Sequence, residues 1–295
     1  MTVELSAGQR IRKFAARPAR EKYVQLALRF RHIFTNLPIP IRLRFGSWFL
    51  AGTSWVDRSI LLGGIEPAEL LFVEKYLQPG MTVLDIGAHH GLYTLLASRR
   101  VGRGGVVVAF EPSPRERRQL LRNVKINFCS NACIEPCALG NEHSGGDLYV
   151  VTGGQDGCNS LRPPIALSET ARVRVQIARL DDWIEANKLE RVDFIKLDVE
   201  GGELDALKGA DKLLGRKPRP VILAEVQDLR TEPWGYKAKE IIGYLVSREY
   251  KWFRIAADGS LEQLDVTAET FDGNFVAVPV EREAERFLNE GAGRR

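Results

Sequence analysis

The chain has 295 residues, of which 44% are hydrophobic and 27% charged, so it carries enough apolar side chains to bury a sizeable core. That balance excludes a disordered chain. The four cysteines exclude a disulfide scaffold at this length, and Cys129, Cys133 and Cys137 offer no Cys-x-x-Cys pair to a zinc ion. No run of about 18 apolar residues occurs, so no membrane span is expected, and no apolar signal segment follows the first charges.

The net charge of +4 is unevenly spread, because the first fifty residues hold ten Lys/Arg against Glu4 and Glu21. This basic stretch reads as a solvated face, with peripheral contact to an anionic membrane as a second use. Reduced, buried thiols fit a cytoplasmic protein. Residues 1–65 form a basic N-terminal extension. Within it, Tyr23, Ala27, Phe30 and Phe34 make a helical stripe over 20–34. Leu37-Pro38-Ile39-Pro40 ends that helix, and Ile41, Leu43 and Phe45 then alternate with Arg42 and Arg44 as in a half-exposed strand. Short β-rich or irregular segments follow, up to about residue 65.

From residue 66 to 295 the pattern becomes regular, as in one domain. Helices are expected at Pro67–Leu77, Leu92–Arg100, Pro114–Asn127, Leu180–Asn187, Gly202–Ala210 and Tyr236–Arg248. Between them lie strand-like runs at Thr82–Ile86, Gly105–Phe110, Ala132–Cys137, Val192–Leu197, Val221–Val226, Trp252–Ala256 and Asn274–Val278. Short β-branched runs alternating with helices predict an α/β fold: a mostly parallel, seven-stranded Rossmann-like sheet with helices on both faces. The alternation lapses over 140–180, where Leu148–Val151 and Arg172–Ile177 read as extra strands around a glycine-rich loop, an insertion near the ligand-binding strand ends.

The first regular strand runs into Asp85-Ile86-Gly87-Ala88-His89-His90-Gly91, at the strand-to-helix turn where α/β sheets bind ligands. Its Gly-x-x-x-Gly spacing matches neither the dinucleotide fingerprint nor a phosphate loop, so a ligand without phosphates is implied. S-adenosylmethionine suits it, with Asp85 placed to face positive charge. Glu111 lies 26 residues after Asp85, at the tip of the next strand, where an acid accepts from a ribose diol. The alternative is that both acids cap helices.

These residues resemble the FkbM-type methyltransferases. The resemblance spans Leu77 to Val226 and rests on Pro79-Gly80, Val83–Thr94, Phe110-Glu111-Pro112, Ala138-Leu139-Gly140, Leu180-Asp181-Asp182, and the run Val192–Glu203 containing Lys196-Leu197-Asp198-Val199-Glu200-Gly201. It implies a class I methyltransferase fold, S-adenosylmethionine as cofactor, and a hydroxyl of a sugar or polyketide-like metabolite as acceptor. Asp85, Gly87, His89, Gly91, Tyr93, Thr94, Glu111, Pro112, Ala138 and Leu139 are the implied cofactor contacts. His89 departs from the family, which usually has Asn at that point of the loop.

A hydroxyl is a weak nucleophile and gains from a base as its proton leaves. Asp198 is the first choice for that base or for orienting the hydroxyl, Glu200 the second and His90 a third. The alternative is structural, with Lys196 paired to one of the acids and Glu203 capping the next helix. Ser160 and Glu225 are candidate acceptor contacts, with a plain polar turn and a solvated strand end as their respective alternatives. Trp234, Tyr236 and Trp252 could stack on a sugar ring, although core packing is the simpler assignment. No metal is required by the pattern. Nitrogen methylation is disfavoured, because the strand ends Asp198-Val199-Glu200-Gly201 without an Asn/Asp-Pro-Pro-aromatic motif. A non-catalytic cofactor-binding protein and a nucleic-acid module using the basic N-terminus are the competing classes; no helix-turn-helix or zinc pattern supports the latter, so no nucleic-acid partner is expected.

Overall fold

A computed structural model describes residues 38–52, 54–152, 157–163 and 169–287. The expected 20–34 helix, most of the basic stretch and part of the glycine-rich loop lie outside the described residues. The strands in chain order are β1 (Ile39–Arg42), β2 (Trp48–Ala51), β3 (Thr82–Ile86), β4 (Val106–Phe110), β5 (Ala132–Glu135), β6 (Ala138–Leu139), β7 (Ser144–Val151), β8 (Thr170–Ala178), β9 (Phe194–Leu197), β10 (Val221–Gln227), β11 (Tyr250–Ile255), β12 (Leu261–Gln263) and β13 (Asp272–Pro279). The α-helices are α1 (Trp55–Leu62), α2 (Pro67–Tyr76), α3 (Leu92–Val101), α4 (Pro114–Ile126), α5 (Leu180–Ala186), α6 (Glu203–Lys208), α7 (Asp211–Gly215), α8 (Asp228–Thr231) and α9 (Ala238–Val246).

The main sheet has the order β12-β11-β13-β10-β9-β3-β4-β5. β5, β4, β3, β9 and β10 pair in parallel, while β13 is antiparallel to both β10 and β11. This is the class I methyltransferase architecture, with β12 added as an eighth edge strand. Every residue of β3 is buried, because helices cover both faces. Leu84 and Ile86 join a core with Val108, Ile195, Leu197 and Trp252, whereas Val83 faces Phe72, Leu95, Phe194 and Phe253 on the other side. Trp252 is therefore a core residue.

The strand order reverses at β3, since the chain leaves it for β4 and β5 on one flank and returns to β9 and β10 on the other. The crevice at the carboxyl ends of β3 and β9 is the ligand position of such sheets. The insertion folds as a separate three-stranded sheet, β6-β8-β7, with β7 and β8 longer than the sequence pattern suggested.

The segment before residue 66 departs from expectation. The strand there stops at Arg42, because the Leu43 and Ser47 backbones close a turn through Gly46 at φ 89°. Leu43 and Phe45 stay buried all the same. A helix, α1, follows where irregular structure was expected. Ser54 caps it by accepting from the Asp57 N–H, and Gly63 ends it in the left-handed region. Phe49, Ala51, Ile60 and Leu61 share one core with α2, α3 and the sheet. Cys133 is exposed rather than buried.

Candidate active site

One cavity opens at the carboxyl ends of β3, β4 and β9. Asp85, Gly87, His89, His90, Tyr93, Glu111, Pro112, Ala138, Leu139, Lys196, Asp198 and Glu200 all line it. The turn after β3 makes this possible. Gly87 adopts φ 83°, and a Cβ there would overlap the Asp198 carbonyl oxygen, so the β3 turn and the β9 turn touch through backbone alone. The Gly87 and Ala88 N–H groups both donate to the Phe110 carbonyl at 3.0 Å, tying the turn to β4. His89 takes φ 50°, a left-handed position that Asn and His tolerate better than most residues. This explains how His89 occupies the place where the family carries Asn.

The two strand-end acids are fixed differently. Thr94 Oγ1 donates to Asp85 Oδ2 at 2.5 Å, and burial pushes Asp85 up to about 6 in spite of that bond and the Lys196 charge. Glu111 accepts from the His89 N–H and from the Ser113 N–H, each at 2.8 Å and each on a different oxygen. Burial nevertheless raises it to about 8. Both oxygens keep acceptor capacity toward the cavity. Glu111 thus ties two turns and lines the cavity.

The end of β9 carries the charge. Lys196, which is 2% exposed, donates from Nζ to Asp198 Oδ2 at 2.9 Å and stands over the Tyr93 ring at 5.2 Å. Asp198 and other carboxylates raise its pKa far above the usual lysine range, although burial alone would lower it. Tyr93 in turn donates its hydroxyl to Glu66 at 2.6 Å. Glu200 turns away from the extended line of the strand at φ 56° and pairs with Arg230 at 2.9 Å, an ion-pair distance without hydrogen-bond alignment. Burial and the Asp198 charge raise Glu200 to about 8. Glu203 accepts from the Val199 and Gly201 N–H groups, and burial raises it to about 7. The lysine pair is therefore present, whereas Glu203 holds the turn after β9 instead of capping the next helix, and Asp198 and Glu200 line the cavity.

Four of the expected site residues stand behind the wall. Gly91 caps α3 and leaves room for Leu120, and Thr94 acts through Asp85. Ser160 Oγ donates to the Glu200 carbonyl at 2.7 Å. Glu225 sits among Asp198, Glu200 and Glu203, where burial and those charges push it well above the usual carboxylate range. Asp198, Glu203 and Glu225 bring donor atoms within 4.8 Å of one another, as do His89, His90 and Glu116. Lys196 supplies the cation of the first group, and Ser113 and Arg115 already hold Glu116 in the second.

Other lining residues escaped the sequence reading. Val56, Ile60 and Ile65 come from α1 and the turn after it, Leu92 begins α3, and Glu66 precedes Pro67. Trp234 also lines the cavity, and its Nε1 donates to the Glu200 carbonyl at 3.3 Å. Ser54 three residues before Asp57 was the available signal for α1.

A family model described as the methyltransferase FkbM domain matches residues 85–252. The chain belongs to the FkbM methyltransferase family. It is 32% identical over 149 residues to Methyltransferase 1 of Beauveria bassiana, a match covering 44% of this chain and 58% of that protein. It is 27% identical over 137 residues to the hexuronic acid methyltransferase AglP of Haloferax volcanii, covering 44% and 50%. To the 2-O-methyltransferase NoeI of Sinorhizobium fredii it is 28% identical over 151 residues, covering 46% and 60%. The methyltransferase thus spans between half and three fifths of the length of these three relatives.

S-adenosylmethionine is the cofactor of the FkbM family, and the donor set of this chain fits it. Glu111 offers acceptors to a diol, and Ile86, Phe110, Ala138 and Leu139 give an apolar wall for a base. Asp85, Glu66 and Asp198 bring carboxylates toward a cationic amino-acid end. Among the described residues, no helix is long and apolar enough to cross a membrane.

Proposed function

We propose that this methyltransferase methylates a hydroxyl oxygen on a sugar, glycan or polyketide-like small molecule, within a unit spanning 66–295. The observation that carries the reading is the shared wall: the cofactor turn at Gly87 abuts Asp198, so the diol acceptor and the charged strand end open onto one cavity. Bound S-adenosylmethionine supplies an activated methyl group, and the protein's share is alignment.

In this reading Asp85, Gly87, His89, Tyr93, Glu111, Pro112, Ala138 and Leu139 hold the cofactor, with Gly91 and Thr94 supporting them. Lys196 fixes the Asp198 carboxylate, which orients the acceptor hydroxyl. Glu200, paired with Arg230, lines the same cavity and serves as the second acid on the acceptor side. His90 completes the catalytic group, while Ser160 and Glu225 shape the acceptor side through Glu200. The names of two relatives, a hexuronic acid methyltransferase and a 2-O-methyltransferase, favour a sugar-type acceptor and an oxygen target respectively.

The test is calorimetric titration with S-adenosylhomocysteine, followed by mass spectrometry of p-nitrophenyl β-D-glucuronide and a polyketide panel after incubation with S-adenosylmethionine. Saturable binding lost in Glu111→Ala, with O-methylated product from the wild type and little from Asp198→Asn, is expected. Product methylated on nitrogen or carbon alone would sink the oxygen reading.

A further inference from the structure

A buried pair lies at the edge of the cavity, on the side of α1. His90 lines the cavity, and its Nδ1 lies 2.8 Å from Asp57 Oδ1. The two side chains are 9% and 2% exposed. Asp57 comes from α1, in the segment before the regular domain.

Both partners are clamped. Asp57 Oδ2 accepts from the Gly52 N–H at 2.7 Å, which leaves Oδ1 for the imidazole. The Asp57 N–H is held by Ser54 Oγ at 2.8 Å. Asn123 on α4 donates to the His90 carbonyl at 2.8 Å and accepts from the Leu50 N–H at 2.8 Å, which locks the turn to β2. Burial raises Asp57, but the His90 bond and charge outweigh it and hold the carboxyl below its usual range. An ionised carboxylate can only accept, so His90 Nδ1 carries a proton toward Asp57.

The other charged groups near the ring are accounted for. His89 stacks on it at 4.0 Å, and Glu116 approaches from α4 with its carboxylate engaged by Ser113 and Arg115. Asp198 is bound to Lys196, and Glu200 is paired with Arg230. With Nδ1 engaged by the Asp57 carboxylate, Nε2 is the second nitrogen of the cavity-lining His90 ring.

We infer that Asp57 and His90 form a carboxylate–imidazole dyad, in which Asp57 is a positioning residue and His90 Nε2 removes the acceptor's hydroxyl proton. This rests on the hydroxyl-methylation reading above. As the acceptor oxygen bonds to the methyl carbon, the carbon–sulfur bond breaks and its electron pair stays on sulfur, leaving a neutral thioether. The hydroxyl O–H bond breaks in the same step and its proton passes to Nε2. The resulting imidazolium stays paired with Asp57 until solvent takes the proton.

Four histidines, His32, His89, His90 and His143, make the imidazoles tractable by long-range proton–nitrogen NMR on the full chain. His90→Gln assigns the His90 signals. The wild type is expected to show a protonated Nδ1 and a bare Nε2, and Asp57→Asn to lose that preference. Calorimetry with S-adenosylhomocysteine should give the same affinity for all three proteins, which separates the dyad from a general loss of fold. Release of S-adenosylhomocysteine with p-nitrophenyl β-D-glucuronide should fall about 10²–10⁴-fold in kcat for His90→Gln, with Asp57→Asn between it and the wild type. A wild-type Nε2 that carries the proton, or an Asp57→Asn tautomer unchanged from wild type, overturns the dyad. A wild type that binds S-adenosylhomocysteine and shows the bare Nε2, yet methylates no hydroxyl, overturns the function reading and with it the base role. The alignment itself would then still stand.

Discussion

The two walls of the cavity are held by opposite means. The cofactor wall, at the ends of β3 and β4, is fixed by backbone: Gly87 against the Asp198 carbonyl, Gly87 and Ala88 on Phe110, and Glu111 on two N–H groups. The wall at the ends of β9 and β10 is fixed by side-chain charge, with Asp198, Glu200, Glu203 and Glu225 sharing Lys196 and Arg230. Backbone contacts tolerate almost no added volume. A charge cluster tolerates shape changes but not the loss of a cation, because each buried carboxylate left unpaired is costly. Different kinds of interaction thus hold the two walls of one pocket.

The sharpest way to break this contrast is Gly87→Ala. The added methyl meets backbone on a strained φ, so S-adenosylhomocysteine affinity should fall at least about 100-fold, roughly 3 kcal/mol. Unchanged calorimetric affinity would mean that the turn moves freely. Lys196→Met comes next. Removing the cation should destabilise the fold by about 3 kcal/mol in urea titrations at pH 7.5, with a smaller loss at pH 5, where the raised acids are protonated. An equal loss at both pH values would assign Lys196 to packing rather than charge.

The smallest effect is a slope. Glu111, Glu200, Glu203 and Asp85 have raised pKa values, so between pH 4.5 and 8 the native state binds more protons than the unfolded chain. Their contribution is complete below the unfolded carboxylate range and is lost as pH climbs toward about 8. Wild-type urea midpoints should therefore fall from pH 5 to 8.5, and less steeply in Glu111→Gln. Glu281, lowered to about 2 chiefly by its Arg219 hydrogen bond, acts in the opposite direction and only under acid conditions. A midpoint that rises over the alkaline window would show that bound cofactor or solvent, not burial, governs these acids.

The sequence by itself determined the sheet and half of the site. Continuous β-branched runs such as Thr82–Ile86 and Val221–Val226 can only be buried strands here, and Gly87, Glu111 and Asp198 fall at strand ends where the alternation stops. Such signals are local, so periodicity and turn chemistry reveal them. Tertiary structure alone decided the rest. Asp57 meets His90 across 33 positions, and Glu66 meets Tyr93 across 27. Thr94 and Gly91 proved to be supports, and Trp234 turned toward the cavity while Trp252 went to the core. Each of these depends on which face an element presents after packing. That is set by long-range burial and by the pairing of charges from distant segments, and neither leaves a periodic trace along the chain.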